Sequence, residues 1–160
     1  MPQPPINALT LRPMVEADLP QVVAIEEASY YLPWAHLMFH EALVSPQQHA
    51  WVLSQGEEVV AYCVVALIVD EADLLNLAVK PCWRRRGLAQ QLLTHACEQV
   101  QALSMERFFL EVNVENTAAQ QLYLALGFQP VGRRNGYYST ATGPKDALVM
   151  CLEFETKQHE

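Results

Sequence analysis

Three adjacent arginines followed by a glycine, Arg84-Arg85-Arg86-Gly87, are the most conspicuous chemical feature of the sequence. They come after an apolar run typical of a β-strand and just before the longest helical pattern of the chain. The first N–H groups of a helix have no partner within it, and together with the helix dipole they attract anions. Glycine lets a phosphate approach the backbone closely, and arginine adds charge and forked donors. The turn predicts a pyrophosphate site, although solvated arginines at an ordinary helix start explain it equally well.

Two other residues have side chains suited to proton transfer, Glu111 in a predicted strand and Tyr123 in a predicted helix. Strand alternation places Glu111 on the face opposite Leu110 and Val112. Because an acid in an apolar strand is costly to bury, we expect Glu111 to face a wet cleft. A phenol is protonated at neutral pH and can donate its proton. From these patterns alone, a solvent-facing glutamate and a packing tyrosine are the simpler interpretations.

Aromatic residues cluster at two further places, Tyr31, Pro33 and Trp34 in a predicted interhelical loop, and Tyr137 with Tyr138 near the last predicted hairpin. Aromatic rings combine apolar area with polar tips, which suits the walls of a peptide groove. Acidic residues that are candidates for attracting a basic peptide are Glu26, Glu27 and Asp70. Ordinary core aromatics and surface acids remain an equally good interpretation of any single one of these residues.

The composition describes one globular, acidic domain. The chain has 160 residues, 51% of them hydrophobic and 18% charged, with a formal net charge of −8. Residues 1–79 contain one basic and ten acidic residues, whereas residues 80–160 contain nine basic and eight acidic ones. A chain this acidic is not expected to bind nucleic acid through its overall field. The asymmetry suggests two ligands of opposite charge, and an ordinary solvated acidic surface is the alternative.

The elements that must position these residues follow from periodicity and turn signals. Strands are predicted at 9–12, 50–53, 59–69, 74–79, 108–114, 129–134 and 147–155. Helices are predicted from 18, over 35–44, from 87 and over 117–126, and residues 1–8 are predicted to be a loose tail. Residues 70–73 are predicted to form a polar turn and residues 135–146 a long polar connection. The order β-α-α-β-β-β-α-β-α-β-β predicts an α/β fold with a mixed, mostly antiparallel sheet.

The cysteines and termini indicate a reduced, cytoplasmic protein without metal. Cys63, Cys82, Cys97 and Cys151 form no Cys-x-x-Cys pair and show no regular spacing with histidine. Cys63 and Cys151 lie in apolar runs and are expected to pack as small core residues. We expect no signal peptide and no membrane span, because neither an apolar leader nor an 18-residue apolar stretch is visible.

The run from Arg84 to Ala89 matches the Gln/Arg-x-x-Gly-x-Gly/Ala signature, and the chain resembles the GNAT superfamily of acetyl-CoA-dependent N-acetyltransferases. Further matches follow in order over about residues 9–153. They are residues 75–79, Leu110-Glu111-Val112, Asn116, Leu122-Tyr123, Leu126-Gly127-Phe128, Arg133-Arg134-Asn135, Tyr137-Tyr138 and Asp146-Ala147. Within the superfamily the series is similar to the RimI branch of ribosomal-protein alanine N-acetyltransferases.

The resemblance implies a single GNAT domain over residues 1–160 and direct acetyl transfer from acetyl-CoA. Glu111 matches the general base of the family and Tyr123 its general acid. The positions implied to bind the thioester and pantetheine arm are Leu77, Ala78 and Val79. Those implied to hold the pyrophosphate are Arg85, Arg86, Gly87, Leu88, Ala89 and Gln90. Asn116 is implied to contact the cofactor, and it is also a plausible helix cap.

The implied acceptor is the N-terminal alanine of a small-subunit ribosomal protein. A monomer is favoured, although the sequence does not determine the oligomeric state, and the charge and hydropathy predict no direct contact with nucleic acid or membrane. Acetylation of lysine side chains or of a small-molecule amine is the alternative on the same fold. A non-catalytic acetyl-CoA-binding module is a third possibility. The chain departs from the family pattern at an extra residue, Gly136, at residues 139–142, which lack a usual proline, and at Ala89, where glycine is an alternative.

Overall fold

A computed structural model describes residues 3–155, and in this part of the chain the elements follow the predicted order. The strands are β1 (Thr10–Pro13), β2 (Gln48–Gln55), β3 (Glu58–Ile68), β4 (Glu71–Val79), β5 (Arg107–Asn113), β6 (Gln129–Thr140) and β7 (Gly143–Glu153). The helices are α1 (Leu19–Ser29), α2 (His36–Val44), α3 (Leu88–Ala102) and α4 (Thr117–Ala125), with single 3-10 turns at Glu16–Asp18 and Pro81–Trp83. Of the predicted tail, residues 3–8 belong to no helix or strand, and residues 1 and 2 lie outside the described part.

The strands form one sheet in the order β1-β2-β3-β4-β5-β7-β6. The short connections from β2 through β4 produce antiparallel pairs, as predicted. β4 and β5 run parallel and pair over only three positions, Glu71–Asp73 with residues 107–109. Beyond these positions the two strands separate and leave an opening in the middle of the sheet.

A bulge in β4 begins just where this separation does. Val64 of β3 pairs with Asn76 and Val65 pairs with Leu74, so Leu75 is an extra residue with no partner on β3. A bulge bends its strand and increases the local twist. The bulge therefore directs the second half of β4 away from β5.

Apolar residues fill both sides of the sheet. One core packs α3 and α4 against the sheet around Trp83, Phe108 and Phe128, and the other packs α1 and α2 around Phe39. The central strand β3 is buried on both faces from Val59 to 65. Cys63 and Cys151 are buried as free thiols, as expected of core residues.

Two turn predictions are wrong. The turn predicted at 70–73 is the start of β4, where Ala72 is fully buried, and the actual turn is Val69-Asp70 with Val69 at a φ of 58°. The long connection predicted at 135–146 is mostly strand, because β6 and β7 continue to a turn at residues 141–142. β6 is an edge strand that is exposed at nearly every position, so it lacks the apolar alternation that marks a half-buried strand.

A buried carboxylate joins α1 to the sheet. Glu26 is only 2% exposed. One of its oxygens accepts hydrogen bonds from the Tyr62 hydroxyl and from the Asn76 amide at 2.8 Å, and the other accepts one from the Trp34 backbone N–H at 2.9 Å. Glu26 is therefore not a surface acid free to attract a peptide, and it links α1, β3, β4 and the loop between α1 and α2.

Replacing Glu26 by alanine is expected to lower the free energy of unfolding by about 3 kcal/mol, because the buried donors lose their acceptor. Its neighbour Glu27 is exposed, and Glu27→Ala is expected to change stability by less than about 0.5 kcal/mol. Urea unfolding of both variants measures the difference. Equal losses for the two variants would contradict a structural role for the buried carboxylate.

Candidate functional site

The opening between β4 and β5 is a cavity of about 820 Å3. Its walls come from the loop after α1, from β4 and β5, from α4, and from the outer hairpin, which is formed by β6 and β7 (residues 129–153). The predicted site residues that line it are Glu111, Tyr123, Leu77, Tyr31, Trp34, Tyr137 and Tyr138. Pro33 is exposed on the same loop but does not line the cavity. One opening thus collects both predicted proton-transfer residues and most of the predicted groove.

Glu111 faces the cavity, on the side of β5 opposite the buried Leu110 and Val112, as strand alternation predicts. Its carboxylate forms an ion pair with Arg134, whose Nε atom lies 3.0 Å from the nearer carboxylate oxygen. The same carboxylate raises the pKa of Tyr137, with which it forms a hydrogen bond. This partly exposed carboxylate lies between a cation and a phenol and is accessible from the cavity, as a general base must be.

The outer hairpin also supplies Arg134, a residue whose place at the site the sequence did not predict. Its guanidinium lies 5.2 Å from the centre of the Tyr137 ring while it pairs with Glu111. Tyr138 donates a hydrogen bond from its hydroxyl to the Glu111 backbone carbonyl at 2.9 Å. Arginine, phenol and carboxylate therefore link β6 to β5 across β7 at the cavity. The pairing of Arg134 with Glu111 was not visible in the sequence because 23 residues separate the two.

Tyr123 projects from α4 into the cavity and is otherwise buried against Phe128. Burial raises the pKa of Tyr123 to about 12. Its hydroxyl is therefore protonated at neutral pH, as a general acid must be. Asn116 caps this helix, because its side-chain oxygen accepts a hydrogen bond from the Ala119 N–H at 3.1 Å.

The second half of β4 presents backbone groups to the opening. Lys80 donates its N–H to Val60 of β3 at 2.8 Å. Because bonded positions alternate along an antiparallel strand, Leu77 and Val79 direct their own backbone groups away from β3. The Leu77 carbonyl accepts a hydrogen bond from the Tyr30 hydroxyl, and the Val79 carbonyl accepts one from Arg84 Nε at 3.0 Å. Ala78, between them, is buried.

The three arginines of the basic turn have different surroundings. Arg84 donates hydrogen bonds to the Val79 carbonyl of β4 and, at 3.0 Å, to the Ser29 hydroxyl oxygen. Arg86 lies 4.9 Å from the centre of the Trp83 ring and donates to the backbone carbonyl of Pro4. Arg85 is exposed and has a φ of 63°.

Gly87 precedes α3 as its N-cap residue with a φ of 79°, a left-handed conformation that favours glycine. A Cβ built there meets no atom within 4 Å, so space for a ligand remains above the helix start. Leu88 is buried and can offer a ligand only its backbone, whereas Ala89 is half-buried. A hollow of about 510 Å3 continues along α3, lined by Gly87, Gln90, Gln91, Thr94, His95 and Glu98.

The extra residue Gly136 is accommodated in a bulge. Residues 135–137 of β6 lie opposite the single residue Asp146 of β7, because pairing passes directly from Arg134 to Tyr138. Asp146 accepts hydrogen bonds from the Gly136 N–H at 2.7 Å and from Arg133, and these bonds lower the pKa of its carboxyl. The insertion thus leaves both tyrosines of the hairpin at the cavity.

Within residues 3–155, no three His, Cys, Asp or Glu side chains are grouped closely enough to hold a metal ion. No helix in the same range combines the length and apolar character needed to cross a membrane.

The chain is similar to known acetyltransferases over most of its length. The acetyltransferase (GNAT) family model matches residues 19–128. The ribosomal protein bS18-alanine N-acetyltransferase of Escherichia coli K12 is 33% identical, over 89% of this chain and 96% of that protein. A Bacillus subtilis protein with the same name, qualified there as putative, is 37% identical over 88% and 92%.

Solved structures have the same fold. The crystal structure of the ribosomal-protein-S18-alanine N-acetyltransferase from Escherichia coli superimposes with a TM-score of 0.87 at 30% identity, covering 96% of this chain and 99% of that one. Arabidopsis thaliana NAA60 in complex with acetyl-CoA superimposes with a TM-score of 0.83 at 18% identity, covering 92% and 99%. At that identity the second likeness concerns the fold alone.

Gly87→Ala is expected to weaken CoA binding at least about tenfold, a change of about 1.4 kcal/mol. The left-handed backbone strains alanine, and the added Cβ enters the space above the helix start. Gly56 is a matched control because it has a φ of 59° and open space but lies in the β2–β3 turn, which does not line the hollow at the start of α3. Both variants are expected to lose about 1 kcal/mol of stability, measured by urea unfolding. Calorimetric titration measures CoA binding, and unchanged affinity for Gly87→Ala would exclude this phosphate site.

Proposed function

The chain belongs to the GNAT acetyltransferase family and is an acetyl-CoA-dependent N-acetyltransferase; we propose that its acceptor is the α-amino group of an N-terminal alanine in a small-subunit ribosomal protein. The observation that carries the mechanism is the presence of Glu111 and Tyr123 on the walls of one opening beside the free edge of β4. The identity of the acceptor is supported by the relatives named bS18-alanine N-acetyltransferases, which align with nearly the whole chain.

The residues present fit acetyl-CoA. The open edge of β4 offers the backbone groups of Leu77 and Val79 to an extended arm, which would add to the sheet as a strand does. A backbone N–H at the end of this strand would stabilise negative charge on the thioester oxygen. The N-terminus of α3, with Gly87 and the exposed Arg85, would hold the pyrophosphate. Asn116 is proposed to contact the cofactor while it caps α4.

Glu111 is proposed to remove the proton of the acceptor amine. An α-amino group has a pKa of about 7.7–8.0, so a fraction of it is neutral and nucleophilic at pH 7. As the nitrogen bonds to the acetyl carbon it must lose a proton, and Glu111 would accept it directly or through one water. The Arg134 guanidinium pairs with this carboxylate at 3.0 Å and holds it at the cavity.

Tyr123 is proposed to donate its proton to the leaving thiolate. Burial keeps this phenol protonated well above neutral pH. The hydroxyl lies at the same cavity as Glu111. Base and acid would then act on opposite sides of the thioester carbon, one on the entering nitrogen and the other on the leaving sulfur.

Tyr31, Trp34, Tyr137 and Tyr138 are proposed to line the groove for the peptide, with Pro33 shaping the exposed loop. Trp34 is anchored through its backbone bond to Glu26 and its ring packs 5.2 Å from that of Phe39. The tyrosines of the hairpin are held by Glu111 and Arg134. The proposed groove therefore has three aromatic side chains, those of Trp34, Tyr137 and Tyr138, that contacts with neighbouring residues hold in position.

A peptide that begins with alanine and contains an internal lysine is expected to be acetylated at its N-terminus. The same peptide with a blocked N-terminus is expected to react much more slowly, because a lysine amine has a pKa of about 10.4 and is rarely neutral. Mass spectrometry after incubation with acetyl-CoA locates the acetyl group. Reaction on the blocked peptide alone would replace the proposed acceptor with a lysine side chain.

Glu111→Gln is expected to lower kcat by about 100-fold or more while CoA affinity is unchanged, because only proton removal is lost. Glu153→Gln is the matched control, since Glu153 is also a strand glutamate but is largely exposed and does not line the cavity. Steady-state kinetics measure kcat, and calorimetry measures CoA binding. A kcat for Glu111→Gln equal to that of the control would exclude Glu111 as the base.

A further inference from the structure

Tyr30 occupies a position at the site that no motif of the sequence assigns. It follows the last residue of α1 and begins the acceptor loop, defined here as residues 30–35 between α1 and α2. Its ring is partly exposed, and its hydroxyl end enters the cavity between β4 and β5. There the hydroxyl donates a hydrogen bond to the backbone carbonyl of Leu77.

The Leu77 carbonyl lies on the free edge of β4, where the arm of acetyl-CoA is proposed to bind. A carbonyl oxygen has two lone pairs, so it can accept the Tyr30 hydroxyl and still accept an in-plane donor. Tyr30 is thus a side chain of the acceptor loop that forms a hydrogen bond with β4, the strand along which the acetyl-CoA arm would lie. Its bond joins the acceptor side of the site to the donor side.

The acceptor loop has a second attachment, through the buried carboxylate. Glu26 lies one helical turn before Tyr30 and binds both the Trp34 N–H of the loop and the Asn76 side chain of β4. The middle of the loop is exposed, with Tyr31 and Leu32 both more than 60% accessible. The loop is thus held to adjacent residues of β4 near its two ends, and the residues of both attachments line the cavity.

The groups around the Tyr30 hydroxyl include Tyr123, the proposed general acid. Burial raises the pKa of Tyr30, and Tyr123, Glu26 and Tyr138 lie close enough to raise it further, while Arg84 opposes them. The phenol therefore remains a hydrogen-bond donor at neutral pH. Its hydroxyl lies near the proposed general acid without belonging to the same element.

We propose that Tyr30 is a positioning residue of the transfer: its bond to the Leu77 carbonyl sets the distance between the acceptor loop and the acetyl group. The inference rests on the proposed function for the identity of the acceptor and for the binding of the acetyl-CoA arm along β4. Acetyl transfer depends steeply on how the amine approaches the thioester carbon, because a misplacement of about 1 Å can cost as much as 100-fold in rate. Tyr30 acts through the loop and strand and not on the reacting atoms.

Tyr30→Phe removes the hydroxyl and keeps the ring. We expect kcat/KM for an alanine-starting peptide to fall about five- to tenfold, the effect of one lost hydrogen bond, mainly through a higher peptide KM. The dissociation constant of acetyl-CoA is expected to stay within about twofold, because the Leu77 backbone is unchanged. Ser45→Ala is the control, since Ser45 bonds to the loop after α2 at 3.3 Å and lies away from the cavity.

Amide hydrogen exchange of the free protein tests the attachment without any substrate. Exchange of the Trp34 amide, which is bonded to Glu26, is expected to be at least about fivefold faster in Tyr30→Phe than in wild type, and exchange within α2 is expected to be unchanged. Ser45→Ala is expected to leave exchange of the Trp34 amide unchanged. This measurement tests the role of Tyr30 even if the wild type does not acetylate the peptide. A failure to acetylate the peptide would reject only the proposed acceptor.

Three results would overturn the inference. Unchanged exchange and unchanged peptide kinetics would show that the Tyr30 hydroxyl does not position the acceptor loop. A fall in kcat of about 100-fold or more with unaltered exchange and peptide KM would make Tyr30 a proton donor to the reaction instead. A parallel loss of acetyl-CoA affinity would place its role in the donor site.

Discussion

The separation of β4 from β5 after three paired positions is the constraint on which the rest of the structure depends. A strand that leaves its neighbour exposes backbone donors and acceptors, and such an edge invites pairing with other chains. In this protein the Leu77 and Val79 carbonyls are covered by the side chains of Tyr30 and Arg84. The same edge is where an extended thioester ligand is proposed to bind, so the proposed site arises from a pairing that the sheet leaves incomplete.

Two carboxylates near this opening have opposite roles because their environments differ. Glu26 is enclosed, and three neutral donors satisfy both of its oxygens. Glu111 keeps part of its surface in the cavity, beside one cation and one phenol. A carboxylate whose acceptor capacity is fully used organises the fold, whereas one that remains accessible is suited to accept a proton. The outer hairpin contributes to this difference, because Arg134 and Tyr138 of β6 both bond to Glu111 of β5.

The basic turn shows a similar division among residues of one type. Arg84 is bonded to β4 and to α1, and Arg86 packs over Trp83 beside the N-terminal segment. Arg85 is left exposed next to the start of α3. Charge alone therefore does not identify the ligand-binding arginine, because two of the three also hold the turn in place. The glycine that follows provides the open backbone that a phosphate requires.

Local periodicity was sufficient to predict the order of elements, the orientation of Glu111 and the capping role of Asn116, because each depends on residues within a few positions of one another. The extent of β6 and the start of β4 were not predictable, since an exposed edge strand and a two-residue turn carry little apolar pattern. The burial of Glu26, the pairing of Arg134 with Glu111 and the reach of Tyr30 to Leu77 join residues 23 to 50 positions apart. The sequence by itself determined which elements form and which residues can do chemistry, and only tertiary structure decided which of them meet, because those contacts depend on strand pairing and its interruption.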